Sequence, residues 1–311
     1  MRGVYCHGRG ISLRRDLPEP TPTAGEVRLR VRLAGVCDTD LQLARGYMGF
    51  RGVLGHEFLG EKVPGGRFTA EINNACHACP TCRAGLPNHC PNRTVLGILN
   101  HDGAMAEWVC VPERNLHPIP DAIDDEAAVF IEPLAAAFRI AEQVPLGPDV
   151  RLAVVGDGKL GLLCARVARL CGSKVTLVGK HAHKLALAGE GVEPVLLDEA
   201  GSRAKSFDVV ADCTGSPTGL PMALNLVRPC GTVVLKTTVA GTYNVDLAPI
   251  VIDEVRVVGS RCGPFPRAIT ALANREVDVR PLLGSVFPLD DAESAFRAAA
   301  EKGAKKILLR V

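Results

Sequence analysis

The 311 residues suffice for two globular domains at roughly 100–200 residues each, and 47% hydrophobic against 23% charged residues is an ordinary balance for a chain with a full core. Thirty-six Lys and Arg against 34 Asp and Glu leave a net charge of +2, without the clustered basic excess of a nucleic-acid binder. No apolar run approaches the ~18 residues of a membrane span, and the opening MRGVYCHGRG has no hydrophobic leader segment, so the cytoplasm is the expected compartment.

The first half reads as β-rich. From Gly25 to Ala34 the residues Val27, Leu29, Val31 and Leu33 alternate with Arg28, Arg30 and Arg32, which predicts a strand with one buried and one solvated face. Turn chemistry is dense in PEPTPTAG and VPGGR, and Asp102-Gly103 is a further break. The character changes near PLGPD at 145–149. Apolar runs at 151–156, 174–179, 193–198, 208–215, 231–237 and 255–260 then alternate with helical segments. Continuous Val/Leu runs suit strands covered on both faces, so six parallel strands with helical crossovers are expected. Near the end, Asp290 with Glu293 predicts a helix start and Gly303 its stop.

Twelve cysteines in a reducing compartment point to metal or catalysis wherever their spacing is ordered. Cys164, Cys171 and Cys213 lie in apolar segments and read as small core residues. Cys76, Cys79, Cys82 and Cys90 stand instead on the polar, turn-rich loop CHACPTCRAGLPNHC. Four thiolates so spaced can close a tetrahedral Zn²⁺ site. Such a site is structural and names no reaction; it suits a zinc-ribbon module equally well. Gly156, Gly158, Lys159, Leu160 and Gly161 fall in G-D-G-K-L-G, which closes an apolar run and opens the helical pattern LGLLCARVARLCG. In that context Gly156 permits a tight turn, Gly158 lets the backbone approach a pyrophosphate, and Gly161 lets helix and strand pack closely. The N–H groups of Lys159 and Leu160 then point at phosphate from a helix N-terminus. Cys37, His56, Glu57 and Glu132 are scattered. Glu132, however, sits in AAVFIEPLAAAF, where a buried carboxylate needs a cation or a hydrogen-bond partner. One thiolate, one imidazole and one or two carboxylates would hold zinc with a position left for water or substrate.

Taken in order, GVCDTDLQL, LGHEFLGE, the cysteine loop, DGAMAEWVCVPERNLHPIPD, EPLAAAF and GDGKLG resemble the zinc-dependent medium-chain alcohol dehydrogenases, in their polyol and threonine dehydrogenase branch. The resemblance runs over nearly the whole chain. It implies an α/β protein: a GroES-like β-rich catalytic domain from residues 1–146 and 281–311, and a Rossmann doubly wound parallel six-stranded sheet from 147–280. It carries the first two catalytic zinc ligands onto Cys37 and His56 and the third onto Glu132. Glu57 matches an acid that ligates the metal or approaches it from behind. Thr39 matches the hydroxyl that takes the alcohol proton, and Asp40 the carboxylate that orients the ligand histidine. Two zinc ions per chain, one catalytic and one structural, follow, with hydride moving between a small alcohol or polyol and a nicotinamide coenzyme. The partners expected are that small-molecule substrate and copies of the same chain in a homodimer or homotetramer, with VRVVGS as the joining edge. A degenerate member that binds zinc and nucleotide without turnover is the alternative.

Two departures stand out. Gln42 occupies a position where the family often has a proton-relaying histidine, and the stretch between His56 and Arg67 is short. The coenzyme signal is also unusual. NAD-specific Rossmann domains end the second strand on an acid that accepts from the ribose 2′-OH. Here KVTLVG ends on Gly179, followed by Lys180, His181 and Lys184. Room at Gly179 and charge on Lys180 and Lys184 predict preference for NADP(H) over NAD(H).

Overall fold

The computed structural model describes residues 1–239 and 242–311. The chain divides into two compact units, Met1–Glu132 with Leu283–Val311, and Pro133–Leu282. The compact units divide at 132/133 and 282/283, where the sequence expectation has 146/147 and 280/281. The reason is the helix Ile131–Gln143, whose body belongs to the second unit: Lys236 Nζ donates to the Ala136 carbonyl at 2.6 Å, and Gln143 Nε2 to that of Gly259 at 2.8 Å.

The first unit is built on the predicted alternating strand, which runs Glu26–Gly35 with Leu29, Val31 and Leu33 buried and Arg28, Arg30 and Arg32 exposed. Each of those buried side chains contributes roughly 1.5–3 kcal/mol of apolar burial. This strand is central to a seven-stranded sheet. Trp108–Pro112 and Glu57–Glu61 pair with it, and Arg67–Ala70 and Leu116–Pro118 follow outward from Glu57–Glu61. The C-terminal strand Lys306–Arg310 also pairs antiparallel with it, Leu308 opposite Gly35, so segments far apart in the chain share one sheet. The short stretch after His56 is a hairpin in which Lys62 N–H meets the Gly66 carbonyl at 3.1 Å. The final helix runs Ala292–Ala300, and its N-cap is Asp291, not Asp290. Asp290 instead spends its carboxylate on Arg2 at 2.8 Å and Arg15 at 2.7 Å, since two guanidinium partners satisfy it better than one backbone N–H.

The second unit holds all six predicted strands. Their spatial order is Val192–Leu196, Lys174–Gly179, Arg151–Val155, Phe207–Asp212, Val227–Leu235 and Arg256–Gly259, with every neighbouring pair parallel. This 3-2-1-4-5-6 order is that of doubly wound dinucleotide-binding sheets. Arg151–Val155 and Lys174–Gly179 are buried at every position after the first, as strands covered on both faces must be. Among the described residues no helix is long and apolar enough to cross a membrane.

Candidate active site, zinc loop and glycine turn

Cys37, His56 and Glu57 come together although two come from one segment and one from another. Cys37 caps the helix Asp38–Ala44, and His56 and Glu57 open the strand that pairs with Glu26–Gly35. Their ligand atoms all lie within 4.8 Å of one another, and His56 and Glu57 are buried. Asp40, fully buried at the third position of the helix, accepts from the Cys37 N–H at 2.8 Å through Oδ2. Its Oδ1 faces His56 Nδ1 at 3.5 Å, and neither atom has a hydrogen-bond partner in the structure. The carboxylate thus stands where a buried acceptor can orient the imidazole, with the other ring nitrogen turned away from it. Burial alone would lower the His56 pKa, but Asp40 and Cys37 outweigh it and hold it well above the usual histidine value. Burial and the Glu57 charge push the Cys37 thiol up. A half-buried thiol with a buried imidazole and carboxylate is a donor set that fits a four-coordinate zinc with one position left open.

One residue of the site is not legible in the motifs. Lys306, 2% exposed, places its ammonium against Glu57 Oε2, whose side chain is 1% exposed. Burial pulls the lysine down, but Glu57 and Cys37 prevail and raise it. The only signal in the sequence is a lysine opening the apolar run ILL near the chain end. Thr39 is half-buried in the first turn after Cys37, and Gln42 is half-buried one turn on. Glu132 lies in the first turn of Ile131–Gln143 and is not part of the trio within 4.8 Å.

Cys76, Cys79, Cys82 and Cys90 form a second cluster, again with ligand atoms within 4.8 Å. The thiols of Cys76 and Cys79 lie 3.5 and 3.8 Å from that of Cys90. Cys79 caps the short helix Pro80–Arg83 and accepts from the Cys82 N–H at 3.4 Å, so the local backbone supports thiolates. The N–H groups of Ala78 and Cys79 pull the Cys76 thiol down to about 6. Of the cysteines read as core, Cys164 is buried, whereas Cys171 and Cys213 are half-buried.

In the second unit the glycine turn takes the predicted strand–turn–helix form. Gly156 has φ +120°, and a β-carbon there would lie 2.6 Å from the Cys213 carbonyl. A β-carbon on Gly161 would stand 1.9 Å from the Gly156 carbonyl, so helix and turn touch through their backbones. Gly158 caps the helix Lys159–Leu170, and the space above it is open. A cradle that a β-carbon would leave clear, at the start of a twelve-residue helix, fits a pyrophosphate. Beside it, Asp157 accepts from the N–H groups of Lys180 and His181 and faces Gly179. The glycine motif by itself does not place that carboxylate there. The room expected at Gly179 is therefore already filled.

Comparison with known proteins agrees with this architecture. Residues 23–121 match the alcohol dehydrogenase GroES-like domain, and residues 160–275 match the zinc-binding dehydrogenase family. The chain is 28% identical to a sorbitol dehydrogenase of Halalkalibacterium halodurans, over 97% of this chain and 96% of that protein. It is 30% identical to an L-threonine 3-dehydrogenase of Streptomyces coelicolor, over 94% of each. It superposes on a zinc-binding dehydrogenase of Sinorhizobium meliloti bound to NADP with a TM-score of 0.90 at 28% identity, covering 100% of this chain and 99% of that one. The chain belongs to the zinc-dependent medium-chain dehydrogenase/reductase family.

Proposed function

We propose that the chain is a zinc-dependent oxidoreductase that moves hydride between a small alcohol or polyol, or the matching aldehyde or ketone, and a nicotinamide dinucleotide. The observation that carries this reading is the trio Cys37, His56 and Glu57 with Asp40 set behind the imidazole. Zinc bound there supplies Lewis acidity, which acidifies an alcohol or polarises a carbonyl, and the nicotinamide supplies the redox chemistry. Cys37 and His56 hold the metal, and the geometry favours Glu57 over Glu132 as the carboxylate ligand. Asp40 holds the histidine tautomer. Lys306 gives Glu57 a buried counter-charge through Oε2. Thr39 takes the proton from the substrate hydroxyl; Gln42 cannot titrate, so that proton leaves by water or another route.

Gly156, Gly158 and Gly161, with the N–H groups of Lys159 and Leu160, hold the pyrophosphate. Of the premises for NADP(H) preference, the cation Lys180 stands, but the room at Gly179 does not, and Lys184 lies 3.8 Å from Asp157. Cys76, Cys79, Cys82 and Cys90 bind a second, structural zinc. A homo-oligomer working in the cytoplasm completes the reading. It is supported by the outermost strand Arg256–Gly259 and by Val251 and Ile252 nearby, exposed by 75% and 78%.

Metal analysis and a panel of alcohols and polyols with both coenzymes test this function. The expected result is two zinc ions per chain and coenzyme reduction with at least one substrate. One zinc and no turnover across the panel would leave a binding protein instead. Glu57→Gln is expected to lose the catalytic zinc and Glu132→Gln to keep it; the opposite result makes Glu132 the ligand.

A further inference from the structure

The acid that NAD enzymes carry at the end of the second strand is absent here, since the strand Lys174–Gly179 ends on glycine. The fold supplies a carboxylate to the same place from another segment. A β-carbon built on Gly179 would lie 2.5 Å from the Asp157 Cβ and 2.7 Å from its Oδ2. The first variable residue of the glycine turn therefore occupies the volume of a strand-end side chain.

Asp157 is held there firmly and is 8% exposed. Its Oδ2 accepts from the backbone N–H groups of Lys180 and His181, both at 2.8 Å, and from His181 Nδ1 at 2.9 Å. Three donors saturate that oxygen. Around Oδ1 stands Lys184 Nζ at 3.8 Å, too far for a hydrogen bond, so lone pairs remain there for a ligand hydroxyl. Burial pushes the Asp157 carboxyl up, but the His181 N–H and ring, with Lys184, outweigh this and hold it below the usual range.

We propose that Asp157 determines coenzyme choice in this chain, accepting the adenosine ribose 2′-hydroxyl of NAD(H) through Oδ1 and excluding the 2′-phosphate of NADP(H). Exclusion has two sources. The carboxylate repels a dianion directly, and it already occupies the two backbone N–H groups that a phosphate in this turn would take. Two of the cations that follow Gly179 are also committed: His181 hydrogen-bonds Asp157, and Lys184 is its nearest counter-charge. Gly179 and Asp157 form a compensated pair, because a side chain on the strand end and a carboxylate from the turn cannot share the space. This inference rests on the coenzyme reading above and reverses the preference that Gly179 alone predicts.

The test is calorimetric titration of the zinc-loaded full chain with ADP-ribose and with 2′-phospho-ADP-ribose, which differ only in the 2′-phosphate. The native chain is expected to bind ADP-ribose at least tenfold more tightly. Asp157→Asn keeps the side-chain shape and removes the charge; it is expected to shift that ratio at least tenfold towards the phosphorylated ligand. The double change Asp157→Gly, Gly179→Asp moves the acid to the strand end and is expected to restore the ADP-ribose preference. The ratio of kcat/KM for the two coenzymes should follow the binding ratio. A native chain that prefers the phosphorylated ligand, or an Asp157→Asn ratio equal to the native one, overturns the assignment of Asp157. Binding of neither ligand by the native chain overturns the coenzyme reading itself.

Discussion

Lys306→Met removes the ammonium that faces Glu57 and preserves most of the side-chain length. The two side chains are 2% and 1% exposed, so the carboxylate left behind has no route to water. Removing one partner of a buried ion pair costs about 3–5 kcal/mol, because the other charge stays buried. Zinc bound to the same carboxylate, as proposed, would still compensate part of that charge, and we expect the lower end, about 3 kcal/mol. At roughly 2–4 °C per kcal/mol this lowers Tm by about 6–12 °C in scanning calorimetry. The dependence on pH is diagnostic. In the metal-free variant nothing offsets the Glu57 charge, and burial disfavours the charged form, so the folded variant gains stability by taking up a proton as pH falls. The deficit is therefore full at pH 8 and shrinks as pH falls towards about 4.3. In the native chain the raised pKa of Lys306 makes the pair's contribution full below the unfolded lysine value of about 10.4, and it is lost only as pH rises through the folded value. Glu57→Gln combined with Lys306→Met should recover most of the lost stability. A loss under about 1 kcal/mol at pH 8, or one that is the same at pH 5 and pH 8, would refute the reasoning.

Cys79→Ser opens the four-thiol cluster and removes the cap of Pro80–Arg83; it should release one zinc and lower Tm while the purified remainder keeps measurable turnover, checked by plasma mass spectrometry and assay. Thr39→Ala should lower kcat by about 10²–10⁴ with zinc content unchanged, since the hydroxyl handles a proton and not the metal. Gly161→Ala forces a β-carbon to 1.9 Å from the Gly156 carbonyl, so the turn must open; ADP-ribose binding should fall below detection in titrations while the zinc content is kept.

Much of the architecture can be read in the sequence because it rests on local rules. Alternation placed the strand Glu26–Gly35, and continuous apolar runs placed six parallel strands, because burial on one face or two dictates the pattern directly. The cysteine loop is legible for the same reason: its four thiols lie within one turn-rich segment. Side chains that meet across the fold are another matter. Lys306 and Glu57 are joined by the pairing of the last strand with Glu26–Gly35, and nothing in KKILLRV says which acid its lysine will face. Asp290 has the spacing of a helix cap, yet two distant arginines claim it. Gly179 read as empty space because the missing side chain was visible and its replacement was not. Asp157 reaches that space only because the parallel register of Arg151–Val155 on Lys174–Gly179 sets the glycine turn beside the strand end. The sequence determined which chemistry the chain carries; the sheet register decided which charges meet, because electrostatic partners are chosen by distance in space and not by distance along the chain.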